Sequence, residues 1–512
     1  MANAVAIARP NEPAGLTPVA SPPRLSVESQ RDDIRKILFV TSELADLVKV
    51  GGLGDVSAAL PRALRAHHDI RVLIPGYSQV LASGNRLRII ARLKGLAALP
   101  DCQIGRMELA DGLIVYVLVC PELYERDGTP YGDHHGKDWD DNHIRFARLG
   151  LAAAQIAAGQ LNWTPELVHA NDWQTALAPA YMHWQGLRTP CVFTIHNLGY
   201  QGLCDTACGP ELGLPAEAYG TPQMEFYGKL SFLKAGIVHA SHITTVSQTY
   251  AREITTAQFG YGLQGLLKQK AAAGQLSGIA NGIDASWQPE SDPHLLQGFA
   301  AHEWALKRRN TRHVEERFGL QPSDGPLFAV VSRLVQQKGL DLTVQIADAI
   351  VASGSRLAIL GHGEPALEAE LLGLAARHPG RIGVHIGFNE TDARRLFAGS
   401  DFLLMPSRYE PCGLSQMYAQ RFASLPIARH TGGLADTIED GVSGFLFHDA
   451  SAAAYLAAVQ RALNVFRHPE LLNAMRCHAM HAPQFWEQSV APYDHLYRRL
   501  LREHALARVR SR

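Results

Sequence analysis

"RKILFVTSELADLVKVGGLGDVSAAL", residues 35–60, decides the fold. An apolar run through Ile37, Phe39 and Val40 reads as a strand. A cation, Lys49, then stands just ahead of two adjacent glycines, Gly51 and Gly52, and a helical pattern follows. A strand that breaks at glycines and re-enters a helix is the opening of a βα unit. Glycines at such a turn let backbone N–H groups approach a ligand, and the helix behind them offers its positive end to an anion. The stretch is not a P-loop, because no Gly-Lys-Ser/Thr follows, and its spacing is not the dinucleotide fingerprint. The same Gly-Gly-Leu-x-Asp wording returns in "RHTGGLADTIEDG", residues 429–441, so the turn occurs once in each half of the chain.

Working outward, short β-rich runs alternate with helical patterns: "IRVLIPGY", "LIVYVLVC", "LVHAND", "CVFTIHN" and "HITTVS" follow the first strand. After the turn-rich "NGIDASWQPESDP" a second series begins, with "LFAVVSRL", "RLAILGHG", "IGVHIGF", "DFLLMPSRYE" and "PIARHTGG". This alternation predicts an α/β protein of two doubly wound, Rossmann-like domains whose mainly parallel sheets face a central cleft. The expected boundaries are a disordered extension over 1–34, a first domain over 35–275, a second over 276–480, and a C-terminal segment over 481–512. In that last segment Tyr493, Leu496 and Leu500 recur at helical spacing, which predicts a helix packing back on the first domain.

The chain has 512 residues, 46% hydrophobic and 19% charged, with a formal net charge of -1. That balance argues against nucleic acid or an anionic membrane as a partner. "ARLGLAAAQIAAGQL" is too short to span a bilayer and reads as a buried helix. Seven cysteines carry no paired zinc spacing; "CDTAC" (Cys204, Cys208) has no second pair beside it. A cytoplasmic protein is expected. The proline-bearing residues 1–34 lack the apolar core of a secretory signal, and Glu12 and Glu28 count against a transit peptide. "DWDD", Asp138 to Asp141, has the Asp-x-Asp spacing of metal-dependent transferases but follows no apolar strand, so it reads as a charged helix start.

Cations recur at strand ends in the second half as well. Arg333 follows the strand in "AVVSRLVQQKGLD", and Lys338 lies five residues on. Two cations and a glycine turn at the mouth of one sheet suit a diphosphate. At an effective dielectric near 20, a unit charge about 4 Å from a phosphate oxygen is worth roughly 4 kcal/mol before desolvation.

Taken in order, "KVGGLGDV", "HANDW", "FTIHNLGYQG", "SFLKAG", "VSRLVQQKGLD", "SRYEPCGLSQMY" and "RHTGGLADTI" closely resemble the glycogen synthases of the bacterial and plastid starch-synthase type, glycosyltransferase family 5. The resemblance runs from about residue 34 to the C-terminus. It implies a glycosyltransferase-B fold that transfers glucose from ADP-glucose to the non-reducing end of an α-1,4-glucan such as glycogen, with retention and with neither metal nor cofactor. Residue by residue, it implies that Lys49 contacts the donor, with Gly51, Gly52 and Asp55 completing the loop. Arg333 and Lys338 match the phosphate-binding pair, and Glu410 the essential acid, with Cys412 beside it. His196 and Asp172 match the polar residues on the sugar side, next to Asn197. Thr431, Gly432 and Gly433 form the second turn, while Tyr131 and Phe388 are candidates to stack on sugar or base. Val50 stands where the loop usually has threonine, and His430 where arginine is common.

The cleft motifs offer no obvious second acid beside Glu410 for the double-displacement route of retaining glycosidases, and the resemblance implies front-face substitution instead. Catalysis would then be mainly electrostatic, with Arg333, Lys338 and the N–H groups of both turns holding charge on the departing ADP. The alternatives are a relative using UDP-glucose or a small sugar acceptor, a two-domain solute receptor, and a phosphorylase requiring pyridoxal phosphate.

Overall fold

The computed structural model describes residues 34–510, so the expected extension lies outside the described residues except for its last position. Twelve strands fill the first half: β1 (Lys36–Val40), β2 (Asp69–Pro75), β3 (Arg88–Leu93), β4 (Cys102–Glu108), β5 (Ile114–Val119), β6 (Leu167–Asn171), β7 (Cys191–Ile195), β8 (Leu203–Asp205), β9 (Glu225–Phe226), β10 (Lys229–Ser231), β11 (His242–Thr245) and β12 (Leu276–Gly278). Nine of them form one sheet in the order β12-β11-β7-β6-β1-β2-β5-β4-β3. All neighbours from β12 to β5 are parallel, whereas β4 and β3 add an antiparallel edge. That edge was not anticipated from sequence, because "RIIARL" and "CQIGRME" mix charged and apolar residues as half-solvated strands do. β8, β10 and β9 make a small antiparallel sheet of their own.

The second half carries β13 (Leu327–Val331), β14 (Arg356–Gly361), β15 (Ile382–Ile386), β16 (Phe402–Met405), β17 (Leu425–Arg429) and β18 (Phe445–Phe447). They form a wholly parallel sheet in the order β15-β14-β13-β16-β17-β18. Both faces are covered, so successive residues of β13 enter different cores: Leu327, Ala329 and Val331 join one, Phe328 and Val330 the other.

Each sheet reverses its winding once, between β1 and β6 in the first and between β13 and β16 in the second. Open parallel sheets bind ligands just beyond the carboxyl ends of the strands that flank such a reversal. The loops following these four strands carry Lys49, Asp172, Arg333, Lys338 and Glu410.

The chain passes between the two sheets twice. The outgoing pass at Ile283 and the returning pass at Phe485 are paired side by side: Ile283 N–H donates to the Gln484 carbonyl at 2.9 Å. The returning chain becomes the helix Trp486–Arg510, which inserts Tyr493, Leu496, Tyr497 and Leu500 into the first core. Tyr497 also hydrogen-bonds through its hydroxyl to His169 Nδ1 on β6, 2.6 Å away. No helix among the described residues is long and apolar enough to cross a membrane. The alanine-rich segment is instead the helix Asn142–Ala157, buried from Arg145 to its end.

Candidate active site

The second sheet builds the cationic side. Beyond β13 the chain turns through Arg333 into the short helix Gln336–Lys338, and beyond β16 it runs through Ser407 to Glu410. These neighbouring strands bring Lys338 Nζ to 2.5 Å from Glu410 Oε2, and Ser407 Oγ donates to the same oxygen at 2.9 Å. Glu410 is buried and Lys338 half-buried, so the pair is largely shielded from solvent. Arg333 is exposed to the cleft and reaches the Tyr200 hydroxyl of the first half at 3.3 Å.

The first sheet builds the facing side. The loop after β1 folds back so that Glu43 Oε2 accepts the N–H groups of Val50 and Gly51 at 2.7 and 2.9 Å, while Oε1 accepts the Tyr131 hydroxyl at 2.5 Å. Burial raises the Glu43 carboxyl above its ordinary range, and these donors partly offset the shift. Tyr131 is held in turn by Arg145, which donates to the Pro130 carbonyl, and by Asn142, which donates to the Tyr131 carbonyl. Tyr131 therefore acts on the glycine turn through Glu43. Lys49 Nζ lies 2.7 Å from Asp55 Oδ1, and burial raises the Asp55 carboxyl against the pull of that lysine. Both residues line a cavity of about 650 Å3 between the halves, closed on the far side by Glu390, Arg394 and Tyr418. Arg333, Lys338, Glu410 and His196 lie outside its lining.

β6 and β7 supply the remaining polar residues. Asp172 caps the end of β6 in the left-handed region, at φ 59°, a conformation that costs a residue with a side chain about 1–3 kcal/mol and persists at sites where the surroundings impose it. Burial pushes its carboxyl up to about 7, against the backbone N–H groups of Asn197, His196 and Trp173. Its Oδ1 has no hydrogen-bond partner among the described residues. His196 Nε2 lies 3.1 Å from Asn171 Oδ1; Asn171 spends its amide N–H groups on the Val40 and His169 carbonyls, so the imidazole is the donor. Burial lowers the His196 imidazole to about 3, leaving it neutral at neutral pH with Nδ1 as an acceptor. Asn197 accepts from Gly199 N–H and meets the Tyr409 hydroxyl across the cleft.

The two glycine turns differ. At Gly51 a Cβ would meet nothing within 4 Å, and its φ of −150° is open to any residue, so space rather than strain is what the first turn provides. At the second, Gly432 has φ +45° and a Cβ there would collide with the Glu410 carbonyl; one at Gly433 would collide with the Cys412 carbonyl. Those glycines let the turn press against the loop that carries the acid. The N–H groups of both turns were expected to face the diphosphate, but here Gly51 N–H is taken by Glu43, Gly432 N–H by the Glu253 carboxylate at 3.1 Å and Gly433 N–H by the Glu410 carbonyl at 3.0 Å. Thr431 Oγ1 also donates to Glu253, at 2.9 Å.

Cys412, expected beside the acid, belongs to the second core, and burial pushes its thiol up to about 12. Phe388 stands 66% exposed beyond β15. Val50 and His430, the two departures from the usual loop wording, are both exposed. Asp141 immediately precedes the helix Asn142–Ala157, and its carboxylate is bound by Arg126 without capping the helix N–H groups. Sequence reasoning missed Glu43, Ser407 and Glu253. Glu43 had a readable signal, a carboxylate three residues past a switch-point strand; Glu253 had none, since its partner lies far along the chain.

Residues 36–269 match the starch synthase catalytic domain family, and residues 312–476 match the glycosyl transferases group 1 family. A glycogen synthase of Pseudomonas paraeruginosa is 65% identical over 498 residues, 97% of each chain, and one of Pseudomonas syringae pv. tomato is 66% identical over 471 residues, 92% of this chain and 97% of the relative. The chain belongs to the glycogen synthase family. Among solved structures it is similar to the catalytic domain of starch synthase IV from Arabidopsis thaliana bound to ADP and acarbose, with TM-score 0.80 and 29% identity over 91% of this chain and 99% of that one. Sucrose-phosphate synthase from Thermosynechococcus elongatus shares the fold, with TM-score 0.61 at 18% identity over 92% of this chain and 100% of that one. In this glycogen synthase family member the two glycosyltransferase-B halves thus meet with the Lys338, Glu410 and Ser407 cluster on one side and His196 and Asp172 on the other.

Proposed function

We propose that the protein transfers glucose from ADP-glucose to the non-reducing end of glycogen or another α-1,4-glucan, with retention at the anomeric carbon. The observation that carries this reading is the shielded Lys338–Glu410 pair at the switch point of the second sheet, with Arg333 beside it reaching across to Tyr200. The ADP held by the starch synthase relative supports an adenine nucleotide as the leaving group. We assign acceptor binding to the first half and donor binding to the second, with the boundary moved from the expected 275/276 to the crossing near Ile283 because β12 belongs to the first sheet. We assign 481–512 to the first half, to which it returns, and place the protein in the cytoplasm.

In this scheme the acceptor 4-hydroxyl oxygen bonds to the anomeric carbon on the face from which the diphosphate departs. The carbon–oxygen bond to the phosphate breaks, the hydroxyl proton passes to the departing phosphate oxygen, and ADP leaves with the bonding pair. Lys338 and Arg333 stabilise the charge that develops on the diphosphate. Glu410, fixed by Lys338 and Ser407, faces the positive character growing on the sugar ring. His196 is neutral and so orients the glucose through hydrogen bonds instead of supplying a proton. Lys49 contacts the donor from the first half, and Asp172, with an oxygen left for a ligand, binds a sugar hydroxyl.

A donor panel with glycogen as acceptor tests the reading. ADP-glucose should support chain elongation far better than UDP-glucose, with release of ADP. Preference for UDP-glucose, or transfer only to a small sugar, would assign the protein to a neighbouring activity on the same fold.

A further inference from the structure

"CDTAC" lacks a second cysteine pair in sequence, but the fold brings other ligands to it. Cys204 lies on β8 and Cys208 ends the short helix Thr206–Cys208. Glu211 follows in the next turn, and His143 arrives from the first turn of the helix Asn142–Ala157. One ligand atom each from His143, Cys208 and Glu211 lies within 4.8 Å of the others. His143 Nε2 and Glu211 Oε2 are 3.3 Å apart, which is about the edge of a tetrahedron whose metal–nitrogen and metal–oxygen bonds are near 2.0–2.1 Å. Cys204 lies outside that group of three; its thiol neighbours the Cys208 thiol, and it becomes a fourth ligand once its side chain turns toward the other ligand atoms. Both thiols and the imidazole are half-buried while Glu211 is exposed, so an ion can reach the group from solvent and still be partly shielded.

We propose that His143, Cys204, Cys208 and Glu211 form a structural zinc site on the outside of the first half, separate from the cleft. Thiolate and imidazole ligands favour zinc over magnesium or manganese, which prefer all-oxygen shells. With Cys204 drawn in, four protein ligands leave no open position for a reacting water, which makes the site structural. Binding replaces the two thiol protons with zinc–sulfur bonds and releases them to solvent, without any change of oxidation state. The ligand loop continues directly from the cleft loop that carries Asn197 and Tyr200, and β8 pairs Cys204 with Leu230 of β10. A zinc ion would therefore pin the outer end of a segment whose inner end meets Arg333 and Tyr409.

Zinc content and cobalt substitution test this on the full chain, purified under reducing conditions. Wild type should retain stoichiometric zinc through gel filtration. Its cobalt-loaded form should show the intense near-ultraviolet band of thiolate-to-cobalt charge transfer and the visible bands of tetrahedral cobalt. Cys208→Ser should lose most of the near-ultraviolet band, Cys204→Ser part of it, and His143→Gln should weaken zinc retention at least tenfold. Zinc should raise the melting temperature of wild type and leave that of Cys208→Ser unchanged. Circular dichroism shows which variants fold, and His143→Gln keeps the test open if a cysteine variant does not. Failure of reduced wild type to retain zinc or develop the cobalt band overturns the proposal, as does an unaltered band in folded Cys208→Ser. A Cys204–Cys208 disulfide that persists under reductant and blocks uptake overturns it too.

Discussion

Lys338 and Glu410 are worth more together than either is alone, since removing one leaves the other shielded and uncompensated. Lys338→Ala and Arg333→Ala should each lower kcat by roughly a hundredfold or more, because losing one preorganised donor to a developing anion costs about 3–4 kcal/mol. Circular dichroism should show the fold retained, and near-wild-type kcat at saturating donor would remove that residue from the diphosphate site. Asp172 makes a prediction about pH. Its carboxyl has an ordinary pKa of 3.8 and is pushed up to about 7 by burial, so the folded chain holds a proton that the unfolded chain gives up. Stability therefore falls as pH rises through that window, and the penalty, bounded by about 4 kcal/mol, is absent below it and complete above it. Asparagine has nearly the shape of aspartate, so it meets the same backbone strain, and it carries no charge. Asp172→Asn should melt progressively higher relative to wild type as pH is raised from about 5 to about 8. A difference in melting temperature that does not change with pH would show that the buried carboxyl is not the titrating group.

At the scale of elements, two turns spelled alike have different duties. Gly51→Ala meets open space and should leave the melting temperature nearly unchanged while raising KM for the donor, because a methyl group then occupies the open space that the glycine leaves for a ligand. Gly432→Ala meets the Glu410 carbonyl at positive φ and should destabilise the second half and lower kcat together. Equal effects of the two substitutions on melting temperature would contradict this division. The parallel strands were legible because strands buried on both faces read as continuous apolar runs, and the glycine turns marked where the chain re-enters a helix. β3 and β4 were not, since their alternating charged residues look like loop, and β18 is a run of only three residues. The site divides in the same way. Residues next to a strand end, such as Lys49, Asp172, Arg333 and Glu410, could be placed from sequence. The occupation of Gly432 N–H by Glu253 could not, because that hydrogen bond joins residues 179 positions apart.

For the whole molecule, Glu253 belongs to a seam between the halves. Ser247 Oγ donates to the Pro411 carbonyl at 2.6 Å, and Thr249 donates to Asp436 through both N–H and hydroxyl. On the proposed placement of the donor at the second glycine turn, its diphosphate must displace Glu253, which couples donor binding to domain arrangement. Solution scattering of Glu253→Gln should give a larger radius of gyration than wild type without nucleotide, and ADP should bring both to the same compact value. Identical curves for the two free proteins would show that the seam does not depend on this carboxylate. The second crossing of the chain has a consequence for biosynthesis. Tyr493 and Tyr497 are fully buried in a core whose members outside the last helix all lie upstream of residue 280, so the part of the protein that leaves the ribosome first cannot be completed until the last helix has emerged. A released chain ending at residue 485 should therefore resist pulse proteolysis over its second sheet while its first sheet is still cut, the reverse of the order in which the two were translated.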